Sequence, residues 1–286
     1  MDWVERKTIT VKKLALWLFL GMGSTLYAQP GWEAGAMAGV AYYFGDLNTN
    51  YYLGLPNTAV GVLARYNFNE RICIKGAAAF GHIEGNDAYS KNIFEKTRNL
   101  SFRSPVLDGS VQIEFNFLPY VHGSRDEYFS PYVFAGLSVF SFNPMAFYQN
   151  KWIALRPLGT EGQFRGEEYY TVQSALAFGG GVKMDLNKSW SLNFEISARN
   201  TGTDYLDDVS TVYPDMRDLE RERGALAVAL ADRSVELPAI PGSQVGERGS
   251  QRGNSLNKDM YLFATVGIVR YFGSLRCPSP GGHKTR

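Results

Sequence analysis

The sequence lacks an excess of either charge. Lys and Arg number 29 and Asp and Glu 28 among 286 residues, and without a basic surplus to neutralise phosphates the chain is read as no nucleic-acid binder. Its two cysteines are too few for a disulfide framework or a structural zinc site. No Gly-rich phosphate loop joins a strand to a helix. Long apolar runs are missing too. Hydrophobic residues make up 45% of the chain, yet mean hydropathy is −0.21, so the apolar side chains are dispersed. That excludes a bundle of membrane-spanning helices, each needing about 20 consecutive apolar residues. What the chain has in quantity is 30 glycines, 17 tyrosines and 18 phenylalanines, a composition of strands and tight turns.

The start of the chain reads as an export signal. Arg6, Lys7, Lys12 and Lys13 precede the apolar stretch Leu14 to Met22, and small residues follow as far as Ala28. This predicts a signal peptide over 1–28, cut after Ala28. The apolar stretch is well short of the about 20 residues of a membrane anchor. Its removal leaves 25 positive and 26 negative groups, a nearly neutral exported protein.

Beyond it, apolar and polar residues alternate with period two. Trp190, Leu192, Phe194, Ile196 and Ala198 fall on one face, with Ser191, Asn193, Glu195, Ser197 and Arg199 on the other. Leu107, Gly109, Val111, Ile113, Phe115 and Phe117 lie opposite Asp108, Ser110, Gln112, Glu114 and Asn116. Further strands are expected over about 33–44, 57–68, 71–82, 130–142, 172–186 and 259–272, eight in all. Most reach the about 9–11 residues with which a tilted strand crosses a bilayer.

The gaps alternate as well. Asn69-Glu70 and Asn187-Lys188-Ser189 are short and the link from Leu118 to Phe129 is medium, whereas the gaps 45–56, 83–102, 143–171 and 201–258 are longer and richer in Asn, Asp, Gly and charge. Outer-membrane barrels sort their connections this way, short turns in the periplasm and long loops outside. The expected fold is therefore all-β: an eight-stranded antiparallel transmembrane β-barrel with long extracellular loops, spanning 29–273. Both termini are periplasmic, and 274–286 forms a periplasmic tail. Met216 to Arg233 reads as one helix within the last loop, capped by Asp215, with Leu219, Leu226 and Leu230 on one face.

Eight strands enclose an interior that side chains just fill. Arg65, Lys75, Asp108, Glu114, Lys183, Asp185 and Glu195 are expected to point inward and pair, since an unpaired charge away from water is costly. Tyr261 and Tyr271 sit at opposite ends of one face of the last strand and suit aromatic girdles at the two interfaces. Arg270 fits either the lumen or the periplasmic rim.

No catalytic constellation stands out. His82 and Ser104 are the one imaginable pair near the outer rim, and catalytic residues and cofactors are expected to be none. The stretch from Thr203 to Ser210 is acidic, and Asp204, Asp207 and Asp208 are a weak calcium candidate beside the plainer reading of a hydrogen-bonded loop. It has neither the spacing nor the glycine of an EF-hand. Cys73 and Cys277 both fall on the periplasmic side, where a disulfide can form if the tail folds across the barrel base.

Six stretches carry a family resemblance: Tyr43 to Asn48, Ala64 to Asn69, Trp152 to Gln163, Thr203 to Ser210, Ala231 to Ser234, and Tyr271 to Gly273. Together they make the chain resemble the PorG-like outer-membrane barrels of the Bacteroidetes type IX secretion system. The resemblance implies a non-enzymatic protein set in outer-membrane lipid. It would contact the periplasmic ring of the PorK lipoprotein and PorN, and support protein secretion and gliding. On the topology, such a partner meets the 118–129 link and the tail, with Tyr120, His122, Arg125, Tyr128, Arg276 and Cys277 as candidate contacts. The competing readings are a general structural or adhesive barrel, a small-solute pore, and a lipid-modifying barrel enzyme.

Overall fold

The computed structural model describes residues 31–237 and 245–273. The expected signal peptide, the tail, Arg276 and Cys277 lie outside the described residues. Eight long strands form the wall: β1 (Gly31–Phe44), β2 (Asn57–Asn67), β3 (Ile72–Asn86), β4 (Ser101–Asn116), β5 (Phe129–Phe142), β8 (Val172–Asp185), β9 (Trp190–Thr201) and β10 (Met260–Tyr271). A short hairpin, β6 (Met145–Tyr148) and β7 (Lys151–Ala154), rises from the third long loop. Each wall strand pairs antiparallel with its neighbours, and β1 pairs with both β2 and β10. The β3–β4 ladder completes the ring, so none of the eight wall strands leaves an unpaired edge. No described helix is long and apolar enough to cross a membrane. The crossing is made by strands.

The alternation reads directly onto the wall. Along β4, Leu107, Val111, Ile113 and Phe115 face outward and are exposed, while Asp108, Gln112, Glu114 and Asn116 face inward and are buried. Val62, Leu137, Leu176, Ile196 and Ile268 extend the outward apolar band around the cylinder. In water such a band would be a large exposed apolar patch; in hydrocarbon it is solvated. Trp32, Phe68, Phe117, Trp190 and Phe272 gather at the end that carries the short turns, where their rings suit the lipid–water boundary. This is a membrane-spanning barrel.

The interior is filled, not hollow. Glu114 is its centre. Its carboxylate lies 2.8 Å from Arg65, 3.1 Å from Lys75 and 2.6 Å from Lys183. Arg65 continues to Glu33 at 2.6 Å, and Lys75 pairs with Glu195. Higher up, Arg199 meets Asp108 at 3.2 Å, and the Tyr261 hydroxyl donates to the same Asp108 at 2.7 Å. The seven charges expected to face inward do so. Gly179 and Gly181 leave the room that the Phe134 and Tyr132 rings occupy, where a Cβ would collide with them. Toward the long-loop end the filling turns apolar, with Tyr43, Ile83, Phe102, Val106, Phe140 and Phe263 in one cluster.

Two expectations for β10 resolve differently. Tyr261 and Tyr271 do not form girdles; they are buried in the lumen, where Tyr271 stacks on His122 at 4.3 Å. Both faces of β10 are apolar, so its alternation could not say which face turns inward, and the register with β1 and β9 decides. Arg270 is at the rim, its guanidinium over the rings of Trp190 and Phe272. The hairpin was not foreseen. Its turn uses Gln149 and Asn150, both with positive φ (46° and 65°), the geometry of a tight two-residue turn without the usual glycine.

If Glu114 holds the lumen together, Glu114→Gln leaves three buried cations short of a counter-charge. Loss of about 3–5 kcal/mol is expected, read as a lowered urea midpoint of the barrel folded in lipid. A midpoint unchanged within error would contradict the assignment.

Candidate functional site

With the lumen filled, chemistry and recognition fall to the two ends. At the short-turn end the Leu118–Tyr128 link folds back into the barrel. Tyr120 and His122 are buried there, each about 5% exposed, so neither presents a surface to a partner. The Tyr120 hydroxyl donates to Asp185 at 2.5 Å. His122 sets Nδ1 2.9 Å from Asp185 and Nε2 3.0 Å from Glu33. Burial opposes its charge, but the Asp185 and Glu33 carboxylates beside it outweigh that and push the imidazole up to about 9. A charged His122 matches the fifth carboxylate of the interior, where Glu33, Asp108, Glu114, Asp185 and Glu195 face Arg65, Lys75, Lys183 and Arg199. Of the expected contacts, Arg125 and Tyr128 remain exposed.

Cys73 is buried in the lumen, its sulfur 3.2 Å from Glu114 and 3.4 Å from Lys183. The side chain is part of the charged filling, so a partner cysteine would have to enter the barrel to reach it. Cys277 is outside the described residues.

At the opposite end the four long loops close into a cap. The second carries α1 (Ile93–Arg98), and the fourth carries α2 (Met216–Arg223) and α3 (Ala225–Ala231). Asp215 caps α2 as expected, accepting from the amides of Arg217 and Asp218. The single helix expected over 216–233 is broken at Gly224, whose φ is 88°. The break rotates the two halves, so that Leu219 and Leu230 are buried but Leu226 is exposed.

Two buried arginines tie the cap together. Arg98 makes a two-pronged pair with Asp87 at 2.8 and 2.7 Å, and also donates to the carbonyls of Asp46 and Arg252. Arg252 in turn donates to Glu161, to the Asp208 carbonyl and to the Ala231 carbonyl. Glu161 accepts from the amides of Ser210 and Thr211 and from the Thr211 hydroxyl. Every long loop is thereby bound to another. The stretches that carry the family resemblance meet here: Tyr43 and Asp46 from the first, Thr160 and Glu161 from the third, Asp207 and Asp208 from the fourth, and Ala231 from the fifth.

The acidic candidates do not converge. Asp204 accepts from Ser210, Asp207 from Tyr43 and Val209, and Asp208 from Thr160 and Tyr169. Among the described residues no group of three or more His, Cys, Asp or Glu side chains is placed to hold a metal ion, and each of these carboxylates accepts hydrogen bonds within the loops. The Tyr43 hydroxyl lies 2.6 Å from Asp207 and 3.0 Å from Asp259. It has one proton to give, so the second contact needs a protonated carboxyl. Burial, and each carboxylate's acidic neighbours, hold both groups well above the usual carboxylate range. Burial likewise pushes Asp204 up to about 7 and Asp208 up to about 6.

His82 and Ser104 do not meet either. His82 lies on the outward face of β3 against Phe80, whereas Ser104 is buried and faces the lumen opposite Ile83. Sequence reasoning missed Glu33, Asp46, Arg98, Glu161, Arg252 and Asp259. Apart from Asp87, 11 positions from Arg98, their main partners lie far away in the chain, and no local periodicity marks them. The one usable signal was that the resemblance is densest in loops.

Carboxyls raised by burial stabilise the cap in their neutral form. Their contribution is complete below the usual 3.8 of an aspartate and is lost as pH rises through 6 and 7. Protease cleavage within 202–259 is expected to accelerate between pH 5 and pH 8, and Asp207→Asn to slow it at the higher pH; equal rates across this range would contradict the arrangement. At the other end, stabilisation by charged His122 is complete below its usual 6.5 and is lost through about 9. The thermal midpoint of the lipid-folded barrel should fall over that window, and His122→Gln should remove that part of the fall.

A search of curated proteins finds no match to the chain. Among solved structures, the outer membrane protein OprG of Pseudomonas aeruginosa is similar at 11% identity and TM-score 0.42, covering 87% of this chain and 99% of its own. Neisserial surface protein A is similar at 10% identity and TM-score 0.42, covering 85% and 97%. The attachment invasion locus protein Ail of Yersinia pestis is similar at 10% identity and TM-score 0.38, covering 85% and 99%. The closure of this barrel stands on its own strand register, independent of these likenesses. A family model does match most of the chain, over residues 12–223 of 286, and the protein belongs to the family described as Domain of unknown function (DUF6089).

Proposed function

We infer that this protein is a non-enzymatic outer-membrane barrel of the type IX secretion machinery. In this reading it anchors the periplasmic ring of PorK and PorN to the membrane and so supports secretion and gliding. The observation that carries the reading is the filled lumen. Its charges are spent on one another around Glu114 and Arg65, and both ends are covered, which argues against a pore and leaves only end surfaces for work. The stretches from Tyr43 to Gly273 that resemble the PorG-like barrels supply the identity of the machine. The short-turn end faces the periplasm in this account, as short turns do in bacterial barrels.

The burial of Tyr120 and His122 narrows the docking surface. It comprises the exposed part of the link, Arg125 and Tyr128, together with the tail containing Arg276 and Cys277. A general structural or adhesive barrel is the second reading, favoured by the large folded cap at the long-loop end, which a pure periplasmic anchor does not need.

Crosslinking in intact cells followed by purification tests the two. The ring proteins are expected to be recovered with the native chain. Recovery should fall severalfold with Arg125→Glu and Tyr128→Ala combined, or on deletion of 274–286, with secretion reduced in parallel. Unchanged recovery and normal secretion without the protein would leave the structural reading.

A further inference from the structure

Beside the cap, between the first two long loops and the stretch after Arg252, lies a cavity of about 860 Å³. That volume falls within the about 300–1,000 Å³ of small-molecule sites. It opens at the end of the barrel opposite the surface assigned to the secretion ring, and nothing in that assignment uses it.

The lining is rich in amides that the fold leaves free. Among the described residues the side chains of Gln251 and Asn257 form no hydrogen bond, and Asn254 uses only its oxygen, which accepts from the Leu256 amide. An amide both donates and accepts, so three of them on one wall match a ligand that also does both at closely spaced positions. Hydroxyl groups on a sugar ring do so.

Charge narrows the class further. Glu95 is held by the Thr49 hydroxyl and the Asn92 amide, with no cation on it. Arg98, although it borders the cavity, is spent on Asp87 and two carbonyls. The remaining cation, Lys258, donates to the Ser255 carbonyl. Across the lining Asp46 and Glu95 balance Arg98 and Lys258, so no surplus of positive charge is left to hold phosphate, sulfate or uronate groups, while Glu95, with no cation on it, can take an amine. A neutral or amine-bearing ligand suits this wall.

The rim supplies an aromatic platform. Tyr51 is 67% exposed, its ring 5.2 Å from Phe44. Its backbone sits at φ 52°, in the left-handed region that a bulky residue avoids. A tyrosine held exposed at such a position, where glycine or asparagine would fit without strain, points to a use for its ring.

We propose that this cavity binds a short neutral or amine-bearing glycan, with Tyr51 stacking on a sugar face and Gln251, Asn254 and Asn257 hydrogen-bonding to its hydroxyls. The sugar portion of a glycolipid and a free oligosaccharide offer the same chemistry, and the test separates them.

The test is calorimetric titration of the full exported chain, folded in lipid discs, with trimers of N-acetylglucosamine, of glucosamine and of galacturonic acid. Saturable binding of one or both of the first two is expected, with the uronate trimer weakest. Tyr51→Ala and, separately, Asn257→Ala should each weaken it about tenfold, the order expected for losing a stacked ring or a paired polar contact. Tyr170→Ala, outside the cavity, should not. Vesicles carrying a neutral glycolipid should displace the trimer if the source is a membrane lipid, and leave it bound if the source is a free glycan. No saturable binding of either neutral or amine-bearing trimer would overturn the proposal, as would tightest binding of the uronate or full affinity in Tyr51→Ala.

Discussion

The rest of the structure depends on one carboxylate. Glu114 sits wholly buried with Arg65, Lys75 and Lys183 around it, and those cations reach on to Glu33 and Glu195. A charge removed from water must be matched where it lies, so strands on different sides of the barrel are held to one another through its interior. This permits a membrane protein with an apolar exterior to have a polar interior without opening a channel. The outside is solvated by lipid and the inside by its own counter-charges.

The cap repeats the same logic with a different balance. Arg98 and Arg252 are two cations among many acids with buried carboxyls, including Asp46, Asp87, Glu161, Asp204, Asp207, Asp208 and Asp259. The deficit is met by protons and hydroxyls. Tyr43 bridges Asp207 and Asp259 from the top of β1, linking the cap to the wall. The lumen is an ion-pair lattice and the cap a hydrogen-bonded one, so acidity of the medium acts chiefly on the cap.

How much of this was legible in the sequence follows from the range of each signal. Where one face was uniformly apolar, as from Leu107 to Phe117, period two identified strand, face and pairing charges together. In β10 both faces are apolar, so alternation alone lets Tyr261 and Tyr271 read as outward; only pairing with β1 and β9 turns them inward. The β6–β7 hairpin was invisible because Gln149 and Asn150 are not a customary hairpin turn. Gly224, by contrast, was in plain view as a helix breaker. Tyr120 and His122 sit in a link with no periodicity, and their burial depends on Asp185 and Glu33, from β8 and β1. The Arg98–Arg252 contact spans 154 positions, which no local pattern reports.

A filled cylinder with two covered ends crosses the membrane on strands alone, with lipid on the outside and counter-charges within. That account rests on lipid meeting the odd-numbered face of β4 while the even-numbered face is sealed from it. The most direct measurement places a spin label singly at each position from 107 to 116 of the barrel folded in a bilayer and records collision with dissolved oxygen. High values at Leu107, Gly109, Val111, Ile113 and Phe115 with low values between them are the result the structure requires. Values that were uniform, or that repeated about every 3.6 residues as along a helix, would contradict it.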